Sequence, residues 1–196
     1  MKKISYLVLF ISSFFITSCD TNDDGFYNNQ TIDVNPGLVS FNTTSNYNVG
    51  DYLFVEANFS RYQTEIGQTQ LLDIYKTTGN SEIFAFSYVI EKKLNANEWQ
   101  TIFVDDSQLQ IIKGDAMNGT YVYGMCKYNA DNENYEYNVG FPLLSAGNYR
   151  INFGYNSTST SKVELRSLSK PKDIKLNMNS TVANLDGSGN FYFSVN

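Results

Sequence analysis

The chain has 196 residues, a net charge of −6 from 14 lysines and arginines against 20 acids, two cysteines and no histidine. Without histidine there is no Ser-His-Asp or Cys-His nucleophile and no histidine-based zinc site, and two cysteines cannot supply a thiolate metal centre or a disulfide framework. No basic stripe interleaved with aromatics is visible, which argues against nucleic acid, and fifteen tyrosines, fourteen phenylalanines and only three prolines mark a folded, strand-rich chain.

At the N-terminus Lys2 and Lys3 precede an uncharged, mostly apolar run from Ile4 to Ile16. Its thirteen residues suit a secretory signal, whereas a membrane-spanning helix needs about 20. Small residues, Thr17 and Ser18, follow, and then Cys19. The tetrapeptide Ile16-Thr17-Ser18-Cys19 resembles the lipobox of bacterial lipoproteins. That resemblance implies cleavage before Cys19, acylation of its thiol and of the new amine, and a membrane anchor. Residues 1–18 are accordingly expected to be a lipoprotein signal peptide and Cys19 the lipidation site; an ordinary cleaved signal with an incidental cysteine is the alternative. Loss of Lys2 and Lys3, with no acid removed, would take the charge from −6 to −8.

Residues 19–30 are expected to be an acidic flexible tether. Asp20, Asn22, Asp24 and Gly25 match the first half of a calcium loop, but position twelve, where a bidentate Glu belongs, is Thr31. Acids directly after the lipidated cysteine resemble the surface-export signal of Bacteroidota lipoproteins, which implies the outer membrane and the cell surface. In enterobacterial-type sorting the same Asp20 would imply retention at the inner membrane, so a periplasm-facing domain is the alternative.

From residue 31 onward the pattern is one of alternation. Leu53-Val55-Ala57-Phe59, Phe84-Phe86-Tyr88-Ile90, Tyr135-Tyr137-Val139-Phe141, Tyr149-Ile151-Phe153-Tyr155, Ile174-Leu176-Met178 and Phe191-Phe193-Val195 each put apolar residues on one face, as half-buried strands do. Turn residues separate them at Asn35-Pro36-Gly37, Val49-Gly50-Asp51, Asn95-Ala96-Asn97, Asn118-Gly119, Ala130 to Asn134 and Asp186 to Gly189, the last expected to close a hairpin. Helix is expected only as a short turn near Gln68 to Ile74. The expectation is one all-β, antiparallel sandwich over residues 31–196, with a weak point or sub-boundary near 156–161.

Two patterns resemble the immunoglobulin-like sandwich. Leu144, Gly147 and Tyr149 have the L-x-x-G-x-Y spacing of a tyrosine corner, where the hydroxyl bonds upstream backbone at the entry to strand F. "NVGDYLFVEANF" resembles the turn and strand B of that fold. Neither strand carries the inter-sheet cysteine, Ile151 standing two residues after the tyrosine, and the long gap between the two patterns implies an enlarged sandwich.

Chemistry is harder to place. Asp73, Asp105-Asp106 and Asp131/Glu133 could in principle supply the two carboxylates of a glycosidase, but acids in Asn- or Ser-rich loops ordinarily serve as turn residues. Asp131 to Asn134 offers an incomplete calcium set. Cys126, on an alternating strand, reads as a small core residue. Trp99 has two possible roles, stacking on a sugar ring or covering the core, and the area an indole buries favours the core; Tyr121 and Tyr123 pose the same choice. The chain is therefore expected to be a non-catalytic binding or interaction module without cofactor or metal. Its ligand is expected to be a neutral glycan or a membrane-protein partner; a structural envelope component and a carboxylate-based glycosidase are the other readings.

Overall fold

The structure is a computed structural model that describes residues 28–35, 37–154 and 159–196. The signal segment, Cys19 and the acidic run that follows it lie outside the described residues, as do Pro36 and Tyr155.

In chain order, β1 (Asn29–Val34), β2 (Val39–Phe41), β3 (Asn46–Tyr47) and β4 (Tyr52–Ser60) come first. A small hairpin of β5 (Tyr62–Thr64) and β6 (Leu71–Asp73) leads into a one-turn helix, α1 (Ile74–Thr77). Then follow β7 (Ile83–Asn95), β8 (Glu98–Thr101), a 3-10 turn at Asp106–Gln108, β9 (Gln110–Lys113), β10 (Asp115–Asn118), β11 (Val122–Asn129) and β12 (Asn134–Pro142). The chain closes with β13 (Gly147–Asn152), β14 (Lys162–Ser167), β15 (Lys175–Thr181) and β16 (Asn190–Val195). The fold is all-β, and β1 takes Asn29 and Gln30 of the expected tether into the sheet, opposite Lys175 and Leu176.

Strand β7 organises the molecule because it belongs to two sheets. At about 3.3 Å per residue its thirteen residues run for about 43 Å. The first half sits between β14 and β11 in the order β1-β15-β14-β7-β11-β12-β4-β2. The second half sits between β13 and β8 in a smaller sheet ordered β3-β16-β13-β7-β8. Where β11 and β12 part, the continuous β9–β10 segment fills the gap, β9 pairing with β12 and β10 with β11.

The alternating apolar positions meet between the sheets. Leu53, Val55, Tyr135, Val139 and Phe141 from the large sheet and Tyr149, Ile151, Phe193 and Val195 from the small one are all buried in one core. Phe41 on β2 joins the two layers, its ring 5.7 Å from Phe153 and 5.1 Å from Phe191. Cys126 is fully buried there, and burial pushes its thiol well above the ordinary value, so it is a packing residue.

Tyr149 makes the bond that its spacing announced. Its hydroxyl donates to the Ser145 carbonyl at 2.7 Å, and Gly147 holds a φ of +147° where a Cβ would lie 2.6 Å from Lys92 Cε. Ile151, two residues after it, is fully buried.

Three expectations need correction. The sheets are mixed: β1 runs parallel to β15 and β3 parallel to β16. Each pair joins segments more than a hundred residues apart, so no hairpin turn constrains their direction. The turn at Asp186 to Gly189 forms, with Asp186 Oδ1 accepting from the Ser188 and Asn190 amides at 2.8 and 2.9 Å, but it is not a hairpin. Its flanks β15 and β16 lie in different sheets, so it carries the chain from the large sheet to the small one. The helical turn begins at Ile74 and not at Gln68, because Asp73 caps it by accepting the Lys76 amide at 3.1 Å.

Candidate functional site

Most acids that could serve catalysis are engaged in structural contacts. Asp73 is bound to the buried Arg61 through both oxygens, at 3.1 and 2.5 Å, and Glu133 binds the same guanidinium at 3.0 Å. Arg61 also lies 5.1 Å from the ring centres of both Tyr62 and Tyr75. Asp105 caps the 3-10 turn, and Asp106 Oδ1 accepts the Asn118 amide at 2.6 Å. Asp131 remains exposed in its turn. In the same stretch Asn132 donates to Glu136 and accepts from the Asn134 amide, and the Asn134 side chain donates to Asn58 Oδ1 at 2.8 Å. Among the described residues no three Asp, Glu, Cys or His side chains converge.

Trp99 is neither a core residue nor a free platform. It lies half-buried on the outer face of the small sheet, with the Arg150 guanidinium 4.5 Å from its ring centre and Tyr192 5.6 Å away. Arg150 is fixed in turn by Glu91, which accepts from its Nε at 2.6 Å. The indole covers part of its own sheet and ties the edge strand β8 to β13 across β7. The area argument fails because β8 is an edge strand whose outward side faces this arginine.

Tyr121 and Tyr123 lie on the outer face of the large sheet and line a groove of about 630 Å³. The strand register explains its shape. One row crosses six strands as Asp115-Met125-Ala85-Arg166-Asn177-Thr31. In the next, Met117, Tyr123 and Ser87 stand opposite one another, and Glu164, Asn179 and Asp33 continue the face. The two rows are two residues apart along every strand, so their side chains project from the same surface. Strand β7 contributes Ala85, Phe86 and Ser87; the Phe86 side chain belongs to the core, so the small side chains of Ala85 and Ser87 leave a low floor. Tyr121 and Tyr123 rise on one side, and Arg166, Glu164 and Leu168 on the other. Asn29, Asn177 and Lys175 close the β15–β1 side.

The groove's polar groups are partly pre-arranged. Arg166 Nε donates to Glu164 Oε1, and the Glu164 side chain is only 8% exposed. Ser167 and Ser169 share a hydroxyl hydrogen bond of 2.8 Å, and Ser167 Oγ accepts the Leu176 amide at 2.9 Å. Burial, the largest influence on Tyr123, pushes its phenol above the ordinary value, which keeps it protonated at neutral pH. The arrangement offers an aromatic wall, amides, hydroxyls and one carboxylate–guanidinium pair.

Compared with known proteins, the chain matches no family model, no curated protein and no solved structure.

Of the groove residues, only Tyr121 and Tyr123 stood out in the sequence. Ala85 and Ser87 carry a faint signal: they are small residues at the outward positions of an otherwise bulky strand. Arg166 and Lys175 carry a charge signal, since the segment 162–175 holds five of the chain's 14 cations. No stripe shows in the sequence because strand pairing is what gathers those cations at one wall.

Proposed function

We propose that the protein is a non-catalytic saccharide-binding module held at the cell envelope by lipid on Cys19. The observation that carries the binding role is the groove floored by Ala85 and Ser87, with a tyrosine wall facing an amide- and hydroxyl-bearing wall. Pyranose rings present flat C–H faces to aromatic side chains and hydroxyls to amides and carboxylates, so such a groove suits one or two sugar units. A carboxylate-based glycosidase needs two acids flanking one bond, and Glu164 is the one acid among the lining residues.

The surface-export resemblance of Asp20 to Asp24 supports an outer-membrane, cell-surface location, with the periplasm-facing orientation as the alternative. The finer fold is proposed to be an enlarged immunoglobulin-like sandwich. In support, β2-β4-β12-β11 follows the order A-B-E-D, and β16-β13-β7-β8 follows G-F-C-C′. Tyr149 at the start of β13 then occupies the strand-F corner, and β14 and β15 enlarge the F–G connection.

Binding is tested by titrating oligosaccharides into the purified protein and into Tyr123→Ala. Saturable binding that the substitution abolishes without lowering the melting temperature is expected; equal binding by both overturns the groove. The anchor is tested by metabolic labelling with a fatty-acid probe, which should tag the protein and miss Cys19→Ser. A protein partner in the same membrane is the second reading, favoured by β9, which is exposed along its whole length with Ile111 and Ile112 in solvent.

A further inference from the structure

The charge at this groove runs against the charge of the chain. The protein is at −6, yet the groove lining contains Arg166 and Lys175 against Glu164 alone. Arg166 is held by Glu164. Lys175 makes no ion pair among the described residues, though its backbone is fixed: it sits opposite Asn29, and its amide donates to the Asn28 carbonyl at 2.8 Å. Lys170 lines the adjoining recess, which shares Leu168 with the groove. Asp173, the acid between these lysines, is turned against Gly79, which lines Lys170's recess together with Glu82, and neither acid lines the groove.

We infer that the groove takes a saccharide bearing a single anionic substituent, carboxylate or phosphate, seated at Lys175 while a neutral ring stacks on Tyr121 and Tyr123; this rests on the saccharide reading of the groove. A lysine suits that role, being a compact charge on a flexible stem that accepts either anion without a fixed geometry. A polyanion is disfavoured on the same face. Carboxylates stand at both ends of the sheet surface, Asp115 on β10 and Asp33 on β1, each with its own lysine at 2.9 and 2.7 Å. Those pairs take up the lysine at either end, and repeated negative charges along a polymer would meet the negative field of the whole chain. Bulk charge thus sets a limit of few anions per ligand, and the local cation selects one.

The test uses the purified full chain and four probes: a uronate-containing oligosaccharide, its carboxyl-reduced neutral counterpart, a sugar phosphate and inorganic phosphate. The acidic sugars should bind roughly fivefold tighter than the neutral counterpart, as suits one partly exposed ion pair. Lys175→Met should remove that preference, so that acidic and neutral sugars bind alike, and Tyr123→Ala should weaken both. The preference should fade as salt rises from about 0.05 to 0.5 M. Equal or tighter binding of the neutral sugar overturns this inference and leaves the saccharide reading standing. Binding of no sugar overturns both. Inorganic phosphate binding as tightly as the sugar phosphate shows a bare anion site and overturns the inference as well.

Discussion

Arg150 lies over the ring of Trp99, its guanidinium carbon 4.5 Å from the ring centre, while its Nε donates to Glu91. The three residues come from three strands, so the contact laces β13, β7 and β8 together on the outer face of the small sheet. Edge strand β8 pairs only with β7, and this stack is its second attachment. Trp99→Ala should therefore cost about 1–2 kcal/mol, from a cation–π contact and a half-buried indole. Urea unfolding should show the loss while saccharide affinity stays unchanged. Lost binding at full stability would place the sugar at Trp99 instead of the groove.

Tyr149→Phe isolates the corner. The ring stays stacked on Phe193, 5.5 Å between centres, and only the hydroxyl is removed. The Ser145 carbonyl loses its donor, which should cost about 1 kcal/mol and lower the melting temperature by about 2–4 °C. Ser145→Ala keeps that carbonyl and removes a hydroxyl 3.0 Å from the phenol and 2.8 Å from Lys92 Nζ. It should cost less. The reverse ranking would assign the corner to the serine side chain.

Faces were legible in the sequence, and neighbours were not. The period-two pattern in Leu53-Val55-Ala57-Phe59 or Tyr135-Tyr137-Val139-Phe141 depends on each strand alone, and every one of those residues is buried. The corner was legible because acceptor and donor lie four residues apart. The groove draws on Asn29, Ala85, Tyr123, Arg166 and Lys175, brought together by register across five strands. No local pattern encodes that register, nor the dual membership of β7 or the parallel docking of β1. Trp99 was misjudged because its area was weighed without knowing that an arginine two strands away would cover it.

Gly114 sets the bend that lets β9 and β10 serve two different partners. It has a φ of +75°, and a Cβ there would lie 2.6 Å from the Met125 carbonyl oxygen and 2.9 Å from that of Glu136. Neither oxygen can retreat without breaking the ladders on either side. Gly114→Ala should cost at least about 2 kcal/mol, from left-handed backbone strain plus that contact. The melting temperature should fall by about 4–8 °C. Gly50→Ala is the control for strain alone, since at a φ of +96° its Cβ would meet nothing within 4 Å. Equal losses at both sites would remove the steric part of the argument.

The Arg61–Asp73 pair predicts how the fold responds to acid. The guanidinium of Arg61 holds the Asp73 carboxyl below its ordinary value of 3.8, with the Lys76 amide adding to the effect against the opposing cost of burial. A depressed native value means that the unfolded chain takes up the proton first. The pair's contribution is therefore complete above the ordinary value and is lost as pH falls through the lower native one. Asp73→Asn retains the helix cap, since Asn caps about as well as Asp, and removes the charge together with one of the two acceptor oxygens facing Arg61. At pH 7 it should cost about 3 kcal/mol, because the buried Arg61 loses its bidentate partner. Arg61 itself stays charged throughout. Urea unfolding at intervals from pH 7 to pH 2 should show the gap between the two proteins hold steady down to about pH 4 and then close. A gap that stays constant into strong acid would mean that shape and hydrogen bonding at Asp73, and not its charge, stabilise this corner of the fold.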